Sequence, residues 1–330
     1  MQIAELKIGG LKDAFKSIAA ILEDEERIQI HLGDEPYLGF KKDVVLGQSF
    51  FQECFLKVNE CEYVVNTKEL KEVLAAFRTK SQVVSITEED NILTLTSKTK
   101  TMQLPFIEKA ERKSKPAKSQ DIGTIEPSDF KCMLKPGHPS KSYQLKDGGL
   151  NGDLALMNKD GELQMSFYSY SNEMLLNYAF DKKNEHRDFA CYILRENLDV
   201  LKKLTSNTIN ELELSVAGKF LKVKADNLLI FLPAVKMVKP ICVPKFKIDD
   251  WDCIDVEKSE KENLKVSKGE INSADAYNGM FRELSAGYRD SLMKYISWLL
   301  ANSEDIRIKK QKNVYVAVFK RLNGRFTLIA

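Results

Sequence analysis

The chain has 330 residues, of which 43% are hydrophobic and 30% charged, a balance typical of a soluble globular protein with two or three domains. Its net charge of +2 is close to neutral, so a nucleic-acid partner would have to be inferred from where the cations lie. No apolar run reaches the roughly 20 residues that span a bilayer, and the opening residues MQIAELKIGG lack the apolar core of a signal peptide, which together predict a cytoplasmic protein with no membrane partner.

Strands and two helices are predicted in the first 107 residues. A strand at Met1–Ile8 precedes a helix at Leu11–Leu22, in which apolar residues recur at helical spacing. Thr67 is the predicted N-cap of a second helix, whose apolar face includes Leu70 and Phe77. The remaining predicted elements are strands at Arg27–Leu32, Tyr37–Val45, Phe50–Val58, Gln82–Thr87, Ile92–Ser97 and Thr101–Ile107, with a hairpin turn at 89–91.

A polar segment, EKAERKSKPAKSQD at 108–121, separates this domain from the next. It has one proline and almost no large apolar side chain, which is typical of an exposed linker. A run of this kind is more often a solvated connector than a nucleic-acid contact. Its five cations are Lys109, Arg112, Lys113, Lys115 and Lys118.

The second domain, 122–243, predicts the same order of elements. The tetrapeptide SDFK at 128–131 echoes DAFK at 13–16, but prolines at 136 and 139 shorten the helix that follows. Its first strands are predicted at Asp153–Met157, Leu163–Ser169, Met174–Phe180 and Asp188–Ile193. The last region, 244–330, predicts a helix at Tyr277–Ala301 and then strands at Asp305–Lys309, Val314–Lys320 and Arg325–Ile329.

Two segments, Asn66–Phe106 and Leu194–Ala234, align with each other without a gap. Leu104-Pro105 falls on Leu232-Pro233, 128 residues later, and apolar positions coincide across one helix and three strands. The helix and strands of 277–330 align less closely with the same segment, which makes 244–330 a diverged and shortened third copy. A long repeat period indicates copies of one structural unit, and copies that close into a ring can surround another molecule.

A unit of strand, helix, three strands, helix and three strands, repeated along one chain, resembles the DNA sliding clamp family of polymerase processivity factors, which includes the bacterial beta clamp and proliferating cell nuclear antigen-like members. The resemblance covers 1–107 and 122–235, is partial over 270–330 and is absent over 244–269. It implies an α+β fold of repeated clamp domains, each with two helices packed on antiparallel sheets, that assemble into a six-domain ring. Three domains per chain imply a dimer and two imply a trimer, and the short third copy suggests a phage-encoded protein.

The implied function is that of a DNA sliding clamp, a non-enzymatic factor that encircles duplex DNA without reading its sequence and tethers a DNA polymerase, after loading by a clamp loader. No cofactor or metal is implied. Because Lys and Arg neutralise phosphates without sequence specificity, cations beside the apolar stripes of the helices are the predicted DNA contacts. They are Lys12, Lys16, Lys68, Lys71, Arg78, Lys131, Lys135, Arg195, Lys202, Lys203, Arg282 and Arg289.

Clamps also bind short peptides of a polymerase or a loader in an apolar pocket at a domain junction near the C-terminal end of the chain. Apolar residues at such positions are more often core residues. The matching positions here are Leu232, Pro233, Val235, Met237, Val238, Thr327, Leu328 and Ile329.

Two other functions remain open at this stage. One is a monomeric factor of the same fold that binds DNA on a basic face, and the other is an enzyme or adaptor that shares repeated α+β domains. The sequence offers no nucleophile–base pair and no zinc pattern among its three histidines and six scattered cysteines, which predict reduced, mostly buried thiols. An acidic group at 249–255 is more typical of a solvated loop than of a metal site.

Overall fold

The structure is a computed structural model that describes residues 2–52, 54–57, 60–110, 119–134, 152–169, 174–181, 188–206, 210–237, 243, 252–253, 299, 302–303, 305–311, 314–322 and 324–329. Within these ranges no helix is long and apolar enough to cross a membrane. The helices are α1 (Ile8–Ile18), α2 (Thr67–Ala76), α3 (Pro127–Met133) and α4 (Arg195–Leu204).

The strands of the first half are β1 (Gln2–Lys7), β2 (Arg27–Leu32), β3 (Tyr37–Lys42), β4 (Val45–Phe50), β5 (Cys54–Leu56), β6 (Cys61–Asn66), β7 (Val83–Glu89), β8 (Ile92–Thr96), β9 (Thr101–Pro105), β10 (Glu108–Ala110) and β11 (Gln120–Ile125). Those of the second half are β12 (Leu154–Lys159), β13 (Glu162–Ser169), β14 (Met174–Phe180), β15 (Phe189–Ile193), β16 (Leu212–Ala217), β17 (Phe220–Ala225), β18 (Leu228–Lys236), β19 (Asp252–Cys253), β20 (Ile306–Gln311), β21 (Val314–Arg321) and β22 (Gly324–Ile329).

The chain forms two compact units. The first contains Met1–Ser119 with Asp199–Pro233, and the second contains Gln120–Leu198 with Ala234–Ala330. These units are defined by contacts in space, and the division into domains at 1–107, 122–243 and 244–330 stays a prediction.

Two antiparallel sheets form the first unit. One has the strand order β5-β1-β7-β8-β9, and the other runs β10-β6-β2-β3-β4-β18-β17-β16. The second sheet continues from β4 directly to β18, which lies about 180 residues later in the chain, with Ser49 opposite Leu228 and Leu46 opposite Phe231. The last strand of the second sequence copy therefore completes a sheet begun by the first copy.

The helices α1 and α2 each pack on strands of both sheets of the first unit. α1 contacts β1, β3 and β4, and α2 contacts β6 and β9. α1 buries Leu11, Phe15 and Ile18, while α2 buries Leu70 and Val73. Apolar residues three and four apart place these side chains on one face of each helix, so the opposite faces stay free to carry charge.

One continuous run of antiparallel strands forms the second unit. From the C-terminal end of β18 it passes through β15, β12, β13, β14, β22 and β21 to β20 and β19. Here β14 pairs with β22, and Phe180 lies opposite Gly324. Gly324 and Leu228 are each the first residue after a hairpin turn, and the β4–β18 and β14–β22 pairings, called seams below, are both antiparallel.

The structure corrects several predicted boundaries. α1 begins at Ile8 rather than Leu11, because the N–H groups of Ile8 and Gly9 donate to the carbonyls of Gln82 and Lys80 at 3.0 and 2.9 Å. β4 and β6 were not predicted. Of the predicted strand Phe50–Val58, Phe50 belongs to β4 and only Cys54–Leu56 forms a further strand, β5. Thr67 is the first helical residue after an Asn66 N-cap, and 108–110, placed in the linker by its composition, pairs with β6 as β10.

The turn predicted at 89–91 is confirmed in its conformation. Asp90 and Asn91 have φ of 49° and 62°, the left-handed region that Asp and Asn tolerate better than most residues. Asp160 and Asp226 take the same conformation at other hairpin tips. The predicted helix at Tyr277–Ala301, apart from Leu299, lies outside the described residues.

Candidate nucleic-acid interface

The helices α1 and α2 lie side by side and run in opposite directions. The first amides of α1 bond to the segment just after α2, as described above, while the N–H of Lys68, in the first turn of α2, donates to the carbonyl of Asp24 at 3.1 Å, just after α1. This arrangement gathers cations from both helices at two ends of one surface. Lys12, Arg78 and Lys80 lie at one end, and Lys68 and Lys71 lie at the other.

Two of the predicted DNA contacts in the first domain have local partners. The ammonium of Lys12 donates to the carbonyl of Phe77, the C-cap residue of α2, where a helix leaves carbonyls without intrahelical partners and favours positive charge. Lys71 pairs with Asp24 at 3.2 Å, and both side chains are about half exposed. An exposed pair of this kind is weak, so Lys71 can exchange its carboxylate for a phosphate at little cost.

Three further cations point to solvent. Lys16, Lys68 and Arg78 are exposed, and none of them has an ion pair within the described ranges. Arg78 follows the helix rather than lying on it, because α2 ends at Ala76 and its C-cap Phe77 has extended backbone angles. Sequence spacing had placed Arg78 two turns after Lys71 on the same helix, and that placement is wrong although the side chain is exposed.

Lys80 belongs to the same surface and was not predicted. Its ammonium pairs with Asp13 on the exposed side of α1 at 2.5 Å, and its carbonyl accepts the N–H of Gly9. A Cβ at Gly9 would come within 2.5 Å of that carbonyl oxygen, so the glycine permits the close approach. The glycine pair at 9–10 was the sequence signal for this close approach, although its position had indicated only a break between strand and helix.

The second domain carries its predicted cations on α3 and α4. Lys131 is half-buried near the end of α3, and Lys202 and Lys203 are exposed in the last turn of α4. Arg195 begins α4, and its N–H donates to Asp153 at 3.0 Å, a carboxylate well placed to stabilise a helix N-terminus. Lys135, Arg282 and Arg289 lie outside the described residues.

The predicted peptide-pocket residues are mostly buried. Leu232 and Leu328 are core residues, Met237 and Thr327 are 4% exposed, and Val235 is 44% exposed. Pro233 and Ile329 are half-buried, and Val238 lies outside the described residues. In the second unit four strands lie between Val235 on β18 and Ile329 on β22, so strand pairing does not make them neighbours, and the pocket stays a prediction.

A buried charged network in the second unit was also not predicted. The carboxylate of Asp129, on α3, accepts hydrogen bonds from Arg321 Nε at 2.8 Å and from the Tyr178 hydroxyl at 3.1 Å. Arg321 also donates to the carbonyl of Asn302. Burial, and then the nearby Asp129 carboxylate, raise the pKa of Tyr178, so its hydroxyl stays protonated and donates. The network joins α3, β14 and β21 across the second seam.

Antiparallel sheets joined at two seams, with helices that carry exposed cations, define a clamp-like fold. The fold is that of DNA sliding clamps. It is similar to the beta clamp of Helicobacter pylori, with a TM-score of 0.64 and 11% identity over 100% of this chain and 98% of that chain. The sliding clamp of Bacillus subtilis gives a TM-score of 0.62 and 12% identity over 100% and 98%, and that of Pseudomonas aeruginosa gives 0.62 and 10% over 99% and 98%.

The sequence itself matches no protein-family model and no curated protein. The predicted α+β fold of repeated clamp domains is thus confirmed by architecture rather than by sequence likeness.

Proposed function

We propose that this chain is a DNA sliding clamp, a non-enzymatic processivity factor that encircles duplex DNA and tethers a DNA polymerase in the cytoplasm. The observation that carries the proposal is the repeated seam. Two internal antiparallel seams mean that each repeat offers one edge to its neighbour and receives another. Units that join head to tail form rings when the rotation between them closes.

The free end of this series is β9. In the first repeat β9 corresponds to β18 and β22, and within the part of the chain that the structure describes no strand pairs with the outer edge of β9. The N–H of Ser97 donates to Lys100 at one end of the β8–β9 ladder and the N–H of Phe106 donates to Asn91 at the other. Antiparallel bonds alternate, so the N–H of Gln103 points outward, where a strand from a second copy would pair.

The aligned residue in the second repeat supports this assignment. Gln103 corresponds to Phe231, which lies opposite Leu46 in the first seam. The N–H of Phe50 donates to Asn227 at 2.8 Å, so alternation makes Phe231 a residue that bonds across the seam to β4. We infer that Gln103 performs the same role between copies, with a dimer as the favoured assembly of a three-repeat chain and a trimer as the alternative.

DNA would lie along the helices. Exposed cations spaced along antiparallel helices contact successive phosphates without reading bases, which lets a ring slide. Enclosure keeps the protein on DNA, so each contact can be weak. The predicted polymerase and clamp-loader contacts at 232–238 and 327–329 belong to this proposal as well.

The test is a primer-extension assay with a cognate polymerase on circular and on linear DNA. Reversal of Lys16, Lys68 and Arg78 to Glu should shorten the products while native mass stays unchanged. The matched control reverses three exposed lysines that lie off the helices, Lys159, Lys219 and Lys320. Equally shortened products in both variants would contradict the assignment of DNA contacts to the helices. If the unaltered protein lengthens the products equally on circular and on linear DNA, a monomeric face-binding factor is favoured instead.

A further inference from the structure

Two ion pairs lie on the surface formed by α1 and α2, one at each of its ends. At one end Lys80, which follows α2, pairs with Asp13 on α1 at 2.5 Å. At the other end Lys71 on α2 pairs with Asp24, which follows α1, at 3.2 Å. All four side chains are exposed to solvent, by 49% to 65%. We call these two contacts the helix-end pairs.

Backbone hydrogen bonds hold both helix-end pairs in place. The carbonyl of Lys80 accepts the N–H of Gly9, at the start of α1, at 2.9 Å. The carbonyl of Asp24 accepts the N–H of Lys68, at the start of α2, at 3.1 Å. The two ends therefore have one construction with the charges exchanged, because the residue held by its carbonyl is a lysine at one end and an aspartate at the other.

The helix-end pairs contribute little to the stability of the fold, since water solvates both partners of an exposed pair and the lysine loses side-chain entropy. What they change is the charge that the helix surface presents. Lys71 and Lys80 are compensated by a carboxylate. Three other exposed cations of the same surface have no ion pair in the part of the chain that the structure describes: Lys16, Lys68 and Arg78.

We propose that the aspartates of the helix-end pairs compete with DNA phosphates for the two lysines, and thereby keep the hold of the helices on the duplex weak enough for sliding. The inference rests on the proposed function, because it requires DNA to lie along α1 and α2. Carboxylate and phosphate oxygens accept the same charge-assisted hydrogen bonds from an ammonium. A phosphate must therefore displace the aspartate before it can bind the lysine.

This competition suits a protein that moves along DNA. Movement requires each cation to leave one phosphate before it meets the next. A lysine with a carboxylate at hand exchanges one anionic partner for another, so it does not stand unpaired between two phosphates. Loss of the carboxylate leaves the phosphate as the preferred partner, so binding tightens and movement slows.

The test measures binding of the full chain to a short fluorescein-labelled duplex, whose free ends admit a ring without a loader. Asp13→Asn and Asp24→Asn keep the shape of each side chain and remove its charge. Each should raise the affinity about fivefold at low salt and steepen the slope of log K against log salt by about 0.9, because the released lysine neutralises one more phosphate. The double variant should also diffuse more slowly along a stretched duplex.

The matched control is Glu213→Gln. Glu213 pairs with Lys224 at 2.7 Å, and both side chains are about half exposed, as in the helix-end pairs. This pair lies between β16 and β17, off the helices, so its loss should change neither the affinity nor the salt slope.

An unchanged salt slope in both aspartate variants, or an equal change in the control, would overturn the proposal. A lower midpoint of urea unfolding with unaltered DNA binding would make the helix-end pairs structural instead, and unchanged diffusion of the double variant would exclude the role in sliding. Failure of the clamp proposal differs, because reversal of Lys16, Lys68 and Arg78 to Glu would then leave DNA binding intact. If that reversal weakens binding and the aspartate variants behave like the unaltered protein, only the competition by aspartates is excluded.

Discussion

The buried pair between Asp129 and Arg321 allows a quantitative prediction about the second seam. Asp129 is 0% exposed and the Arg321 side chain is 16% exposed, so water cannot replace a missing partner. Arg321→Ala leaves a buried carboxylate with the Tyr178 hydroxyl as its remaining described donor of a hydrogen bond. Removal of one member of a buried ion pair costs about 3–5 kcal/mol, and we expect a loss of that size in the stability of the β14–β22 pairing.

The double variant distinguishes the charge from the packing. Asp129→Ala combined with Arg321→Ala leaves neither charge unpaired, so its cost should fall below the sum of the single costs by more than about 1 kcal/mol. Hydrogen exchange of peptides from 174–180 and 324–329 measures the local opening energy directly. Lys42→Ala is the control, because Lys42 pairs at the surface with Glu23 and Glu26 at 2.8 and 3.0 Å, and a surface ion pair contributes little to stability. Additive single costs, or a cost for Arg321→Ala no greater than the control, would refute the reasoning.

The remaining predictions concern assembly, the helix cations and the thiols. Gln103→Pro removes one outward N–H of β9 and should lower the native mass to that of one chain, whereas Gln103→Ala keeps the N–H and the assembly; unchanged mass in the proline variant would exclude β9 as the contact. Lys12→Ala should reduce the stability by about 1 kcal/mol, because it removes the hydrogen bond to the C-cap of α2. Lys16→Ala should leave the stability unchanged and lower the salt slope of DNA binding by about 1. A loss of stability in Lys16→Ala and a changed salt slope in Lys12→Ala alone would contradict the geometry. Burial raises the pKa of Cys54 to about 11 and of Cys191 to about 12, so at pH 8, well below both values, these two thiols should react with iodoacetamide far more slowly in native protein than in urea. Rapid native labelling of Cys191, measured by peptide mass spectrometry, would refute its burial.

The repeated order of helices and strands could be predicted from the sequence because it depends on local signals. Apolar residues at helical spacing identified α2 and α4, and the Asp90-Asn91 turn fixed the β7–β8 hairpin. β4 was missed for a physical reason: it contains Gly47 and the polar residues Gln48 and Ser49, and its fit depends on the ring of Phe40, which lies opposite Gly47 on β3. A Cβ at Gly47 would come within 2.2 Å of Phe40 Cζ, so the glycine is required by a neighbour on another strand.

The buried charged network of the second unit was missed because no local sequence pattern indicates it. At the second seam Asp129, Tyr178 and Arg321 meet, whereas Ala14 and Ala225 stand at the positions that correspond to Asp129 and Arg321 at the first seam. Sequence comparison of SDFK with DAFK shows a carboxylate where the first copy has a buried alanine, and that mismatch was the available signal. The partner of Asp129 is Arg321 on β21, and only the strand pairing at the second seam brings the two residues together.

The helix cations could be predicted in part, because a local sequence pattern does indicate their exposure. Their exposure follows from the apolar stripe on the other side of each helix, which the sequence shows. Their pairing does not, because Asp13 and Asp24 reach Lys80 and Lys71 only through the antiparallel arrangement of α1 and α2. Which cations stay available to phosphates is therefore a property of the fold.

The two seams within one chain have a kinetic consequence for any assembly made from it. A seam between tethered strands forms at an effective concentration set by the connector, of the order of millimolar, and dilution does not weaken it. Only the joint at β9 depends on collision between copies. We therefore expect every ring built from this chain to open at the same type of joint as the protein is diluted, which leaves DNA a defined point of entry without any weakening of the rest of the circle.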